Sequence, residues 1–125
     1  MSAHYPVTVQ VQTRFVAEQS DLATDQYVFA YRITISNAAS VPVQLLTRHW
    51  IITDMNGGIQ EVRGEGVVGE QPRLEPGQSF EYTSGVTLGT PVGTMRGSYQ
   101  MVTQAGEAFD VPIAEFLLSI PRTLH

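Results

Sequence analysis

Tyr27-Val28-Phe29-Ala30-Tyr31-Arg32-Ile33-Thr34-Ile35-Ser36 decides the fold. Its odd positions are all aromatic or β-branched, while its even positions mix small, polar and charged side chains. Side chains that repeat every second residue belong to a pleated strand with one face buried. The same rhythm runs upstream, with Val7, Val9, Val11, Thr13 and Phe15 set against Thr8, Gln10, Gln12 and Arg14. It returns downstream in Phe80, Tyr82, Ser84, Val86 and Leu88, and again in Met95, Gly97, Tyr99 and Met101.

Between these stretches lies Val43 to Thr53, apolar on both parities: Val43, Leu45 and Ile51 on one, Leu46, Trp50 and Ile52 on the other. Such a run predicts a central strand covered on both faces for part of its length. Asp54-Met55-Asn56-Gly57-Gly58 reads as a hairpin, with Asn-Gly supplying positive φ at low cost, and Ile59 to Arg63 returns as a short strand. The long connection Gly64 to Gln78 closes on Pro76-Gly77, which predicts a type II turn. In the last strand, Phe109, Val111 and Ile113 are followed by Phe116, Leu118 and Ile120, so the parity flips. A slip of one residue beside Pro112 predicts a β-bulge between Val111 and Phe116, with this stretch at an edge.

No amphipathic helical pattern reaches 11 residues. The expected fold is therefore all-β: an immunoglobulin-like or fibronectin-III-like sandwich of about seven to eight mainly antiparallel strands, as one domain over residues 1–125. A chain of 125 residues can bury a core without metals or disulfides. Apolar residues make up 42% and charged residues only 15%, which suits half-buried strands and argues against disorder.

The net charge of −5 and the scatter of seven arginines leave no basic stripe to track phosphates, so nucleic acid is not an expected partner. The absence of cysteine removes disulfides, thiolate metal sites and a cysteine nucleophile. Met1-Ser2-Ala3-His4-Tyr5 lacks the pattern of a signal peptide, and no apolar run is long enough to span a membrane. The expected compartment is the cytoplasm, with no membrane partner.

Gly64-Glu65-Gly66-Val67-Val68-Gly69 matches G-x-G-x-x-G. A pyrophosphate site needs amides converging at a helix N-terminus, yet Pro72, Pro76 and Gly77 follow at once and forbid a long helix. Glu61, Glu65, Glu70 and Glu75 outnumber Arg63 and Arg73 nearby. Gly64, Gly66 and Gly69 are thus a weak phosphate candidate, and tight turns explain them better. His4, His49 and His125 are too scattered for a metal site, and the loop glutamates read as a solvated acidic loop. Ser84 beside Gly85 and Ser98 beside Gly97 sit in no nucleophile motif, and His49 reads as structural. No catalytic residue, metal or cofactor is expected.

Arg48-His49-Trp50 is the most unusual local run. In a strand Arg48 and Trp50 share one face and His49 takes the other. A buried tryptophan with arginine at the rim explains the run. Arg and Trp are also enriched in binding hot spots, which makes Arg48, His49 and Trp50 the candidate partner surface.

Several runs together resemble the ApaG family. They are Tyr27-x-Phe29-x-Tyr31-x-Ile33-x-Ile35-x-Asn37, Leu45-Leu46-x-Arg48-His49-Trp50-x-Ile52 and Gly64 through Pro72. Further along come Leu74-x-Pro76-Gly77, Tyr82-x-Ser84-Gly85, Gly93-x-Met95-x-Gly97-x-Tyr99 and Phe116-x-Leu118. One departure is Ala114, where the pattern has proline after Ile113 and this chain has Pro112 before it. The resemblance implies the same sandwich. It also implies a link to cobalt resistance and magnesium efflux, and protein-interaction roles for related domains. The expectation is a non-enzymatic binding module whose partner is another protein, with room for weak self-association. The alternative is a small-ligand module that holds a phosphate or pyrophosphate, with or without a divalent cation, at the glycine-rich loop.

Overall fold

The computed structural model describes residues 5–121. The expectations stated for Met1 to His4 and for His125 concern residues outside this range. Eight strands run in chain order: β1 (Val7–Phe15), β2 (Tyr27–Asn37), β3 (Val43–Asp54), β4 (Ile59–Glu65), β5 (Arg73–Leu74), β6 (Ser79–Leu88), β7 (Val92–Thr103) and β8 (Ala108–Ser119). They form two antiparallel sheets, β1-β2-β6 and β4-β3-β7-β8, with β5 added to β3. The helical content among the described residues is two short 3-10 turns, Ala17–Gln19 and Leu22–Thr24. The expected all-β sandwich is what the chain forms.

The core fills the space between the sheets. Phe29, Ile33, Ile35 and Tyr82 come from the first sheet, and Leu45, Trp50, Met95, Tyr99 and Leu118 from the second. Each fully buried aliphatic side chain contributes about 1.5–3 kcal/mol against conformational entropy. Asn37 is buried at the end of β2. Its Nδ2 donates to the carbonyls of Val41 and Leu74 at 3.0 and 3.1 Å. Its Oδ1 accepts from the Ala39 amide at 2.9 Å, so a polar side chain is accommodated at no cost in lost partners.

The last strand behaves as its parity flip predicts. Met95 pairs with Phe116 and Gly97 with Ile113, so Arg96 faces both Ala114 and Glu115 across a bulge. Pro112 lies on the edge strand of its sheet. The 75–78 turn also forms as expected, with Gly77 at φ +84° and the Gln78 amide donating to the Glu75 carbonyl at 2.9 Å.

The reading of the third strand needs correction. β3 is central, but its change of parity is a bulge and not two-sided burial. Leu45 pairs with Met101 and Thr47 with Gln100, which leaves Leu46 as the extra residue. Val43 and Leu45 are buried before it, Trp50 and Ile52 after it, while Leu46 and Ile51 are only half-buried. The hairpin at Asn56-Gly57 also differs in detail, since only Gly57 takes positive φ, at +81°. Asp54 Oδ1 instead holds the amides of Asn56 and Gly58, each at 2.8 Å. The two-residue strand β5, with Leu74 buried, was too short to show any periodicity.

One polar link crosses the core. The hydroxyls of Tyr82 on β6 and Tyr99 on β7 bond each other between the two sheets. Burial raises both phenols well above their ordinary range, so both remain neutral. Removing one hydroxyl strands the other in an apolar site, whereas removing both does not. Tyr82→Phe and Tyr99→Phe should each cost about 1–3 kcal/mol, and the double variant clearly less than their sum. Urea unfolding of the four proteins measures this.

Candidate functional site

The bulge at Leu46 places the Arg48-His49-Trp50 run. It sends Trp50 into the core, aligns Arg48 with it at the rim, and turns His49 to the outer face of the sheet. On that outer face His49 Nε2 lies 2.6 Å from Glu61 Oε1, and Arg63 Nη2 donates to the same oxygen at 2.8 Å. These two partners, His49 first, hold the Glu61 carboxyl below its ordinary value. The lining of the neighbouring concavity, about 550 Å³, includes Thr47, His49, Ser98 and Gln100. Within it Thr47 donates to Gln100, and Gln100 to Ser98, both at 2.8 Å, and Glu65 and Asp110 complete an acidic part of the lining.

The other face is different. β4 and β6 are the free edges of their sheets on the same side of the sandwich, and a cleft of about 370 Å³ opens between them. Tyr31, Trp50 and Met95 contribute to its lining, with Val62 and Gln60 from β4 and Ser84 and Val86 from β6. A smaller hollow of about 200 Å³, lined in part by Asp54, Gly58 and Leu88, shares Ile52, Gln60 and Thr87 with it. The two make a groove along β3 from Arg48 to Asp54, about 20 Å at strand spacing.

Arg48 guards one end. Its Nη1 donates to the carbonyls of Glu65 and Gly66, each at 2.9 Å. Among the described residues it makes no ion pair with a carboxylate. A Cβ on Gly64 would stand 2.7 Å from its Nη1, so the guanidinium packs where Gly64 has no side chain.

The G-x-G-x-x-G segment is a turn assembly attached to β3. The Gly66 amide donates to the Leu46 carbonyl at 2.8 Å, and Gln71 Nε2 donates to the same oxygen at 2.9 Å. Val67 and Glu70 exchange amide bonds at 2.8 and 2.9 Å around Val68-Gly69. The backbone here has φ +44° at Val68 and +81° at Gly69, as in the two-residue hairpin turns that favour Asn-Gly. Gly66 has φ +62°, and a Cβ there would fall 2.3 Å from the Glu70 carbonyl oxygen. Gly64, Gly66 and Gly69 thus serve an arginine, a close backbone approach and a turn, and three of the loop amides are spent on protein carbonyls.

Among the described residues, no group of three or more His, Cys, Asp or Glu side chains is placed to hold a metal ion, and no helix is long and apolar enough to cross a membrane. Ser84 lines the cleft, on the opposite face from His49, while Ser98 stands directly across the β3–β7 pair from His49 and shares the outer concavity with it. Sequence patterning found Arg48 and Trp50. It missed Tyr31 and Ser84 as cleft residues, because their place depends on which strands end each sheet.

A β-branched residue in the left-handed region costs about 1–2 kcal/mol. Val68→Asn should therefore raise stability by about 1 kcal/mol, read as an upward shift of the urea midpoint with unchanged slope. A carboxyl held below its ordinary value stabilises the fold above that value and loses this as pH falls through the lowered one. Glu61→Gln should accordingly flatten the loss of thermal stability that sets in below pH 4.5.

The sequence of the ApaG domain family matches residues 17–103. Over 121 residues the chain is 60% identical to Protein ApaG of Nitrosospira multiformis, covering 97% of this chain and 95% of that one. It is also 60% identical to Protein ApaG of Bordetella pertussis, covering 97% and 92%. A crystal structure of a Bordetella pertussis protein named ApaA superposes with a TM-score of 0.92 at 58% identity, covering 98% of this chain and all of that one.

Proposed function

The chain belongs to the ApaG domain family, and from that premise we propose that it is a non-enzymatic binding module whose partner is another protein. The carrying observation is the contrast between two places that share Arg48. The glycine-rich segment uses the amides of Gly66, Val67 and Glu70 internally, so little is left to cradle a phosphate. The cleft beside it keeps an arginine without a carboxylate partner over an aromatic floor. Arginine and tryptophan side by side on a concave surface are the groups that anchor protein interfaces. The link to cobalt and magnesium that the resemblance implies then runs through the partner. The small-ligand alternative at Gly64, Gly66 and Gly69 is the weaker reading for the same reason.

Immobilised wild-type protein should retain a defined protein from native extract, and Arg48→Gln, with folding verified by its far-UV spectrum, should retain at least about tenfold less, the loss of one charged hydrogen-bond set. Saturable amide shifts centred on residues 64–69 on adding ATP with magnesium, with no protein retained, would favour the phosphate reading instead.

A further inference from the structure

The cleft has a donor problem that the fold does not solve. The Tyr31 hydroxyl and the Trp50 indole N–H bond no protein acceptor among the described residues, although the two residues are 6% and 2% exposed. No buried side-chain nitrogen or oxygen among the described residues lacks a partner. Both groups therefore reach the open space of the cleft that they line. Arg48 adds a guanidinium with no carboxylate partner. An indole N–H and a guanidinium donate only, so the floor of this cleft is built for an acceptor, and its charge favours an anionic one.

The wall supplies a second, independent feature. β6 pairs with β2 alone and in unbroken register from Ser79 to Leu88. Alternate backbone N–H and C=O groups along its other edge are thus left for another strand. Thr83-Ser84-Gly85-Val86-Thr87 carries no charge, no proline and no bulge, the devices that normally blunt an edge. β8 has two of them, Pro112 and the bulge at Ala114–Glu115, and the β1 side is packed against β8. The outer-face concavity suits an anion less well: Thr47, His49, Ser98 and Gln100 there already bond protein groups, and Glu65 and Asp110 add negative charge to its lining.

Resting on the interaction reading above, we propose that the partner contributes an extended acidic segment, which adds as a strand to the free edge of β6 and places a carboxylate side chain in the cleft against Arg48, Tyr31 and Trp50. Main-chain bonds to β6 supply affinity and the alternate, inward side chains supply specificity. Along the groove from the acid, alternate residues of the segment face the same way. They meet Val62, Val86 and Met95 and are best apolar. The groove of about 20 Å accommodates about six residues of strand.

The probe is an acetylated, amidated heptapeptide that alternates valine and threonine around a central glutamate, titrated into the whole labelled chain by amide and indole NMR. Saturable shifts of the Trp50 indole and of the Thr83–Thr87 amides are expected. Replacing the glutamate by glutamine should weaken them at least about tenfold, the loss of a charge-assisted hydrogen-bond set. Ser84→Glu, which puts a competing carboxylate in the cleft without touching the loop that Arg48 holds, should weaken binding similarly while the chain stays folded. Glutarate alone moving the indole as strongly as the peptide, with β6 silent, would mean a small-anion site and overturn strand addition. Shifts confined to His49, Glu61 and Arg63 would overturn it too. Silence with every peptide, while extract still yields a retained protein, would sink strand addition and leave the interaction reading standing. Silence in both experiments would sink both.

Discussion

The packing of one indole ring sets the rest of the molecule. Trp50 meets Tyr31 from the opposite sheet at a centroid distance of 5.6 Å, and Tyr99 and Phe116 from its own at 6.2 and 5.9 Å, each near edge-to-face. Contacts of this geometry contribute about 0.5–1.5 kcal/mol apiece beyond the area they bury. A ring of this size also fixes how far apart the two sheets stand at their β4–β6 side. Smaller residues there would let the sheets close over the floor. The core and the cleft are in this sense one construction, since the residue that holds the sheets together also keeps their mouth open.

The G-x-G-x-x-G run takes its meaning from the arginine next to the tryptophan. Arg48 needs a place for its guanidinium on the core side of β4, and Gly64 provides it by lacking a side chain. The same guanidinium holds the Glu65 and Gly66 carbonyls, and the Leu46 carbonyl receives the Gly66 amide. A motif that suggests a cradle for phosphate thus works as a clasp between the loop and the bulge of β3. Proline and glutamate around it, which weigh against a phosphate site by helix breaking and by charge, are consistent with that role.

Much of this was legible in the sequence where one parity persisted. β2 and β6 each have a single buried face and β1 a half-buried one, and the alternation exposes it directly. The bulge in β8 was legible because the flip falls beside a proline among otherwise regular positions. The bulge in β3 was not, because Leu45 and Leu46 are equally apolar and a slip between them looks like burial on both sides. The primed turn at Val68-Gly69 was also hidden, since valine carries no turn signal and its positive φ is imposed by the exchange of bonds between Val67 and Glu70. Of the candidate surface, sequence patterning separated Arg48 and Trp50 from His49 correctly. The cleft itself depends on sheet order, which no local pattern encodes.

The extra residue at Leu46 makes β3 a strand with two phases. Before it the odd residues point inward; after it the even ones do. Plain alternation carried on from Leu45 at this length would put Thr47 and His49 on the inner face and Trp50 on the outer one. The indole would face water and the imidazole the core. One unpaired leucine thus acts as a phase correction, a half-step that decides which of two neighbouring rings the core receives.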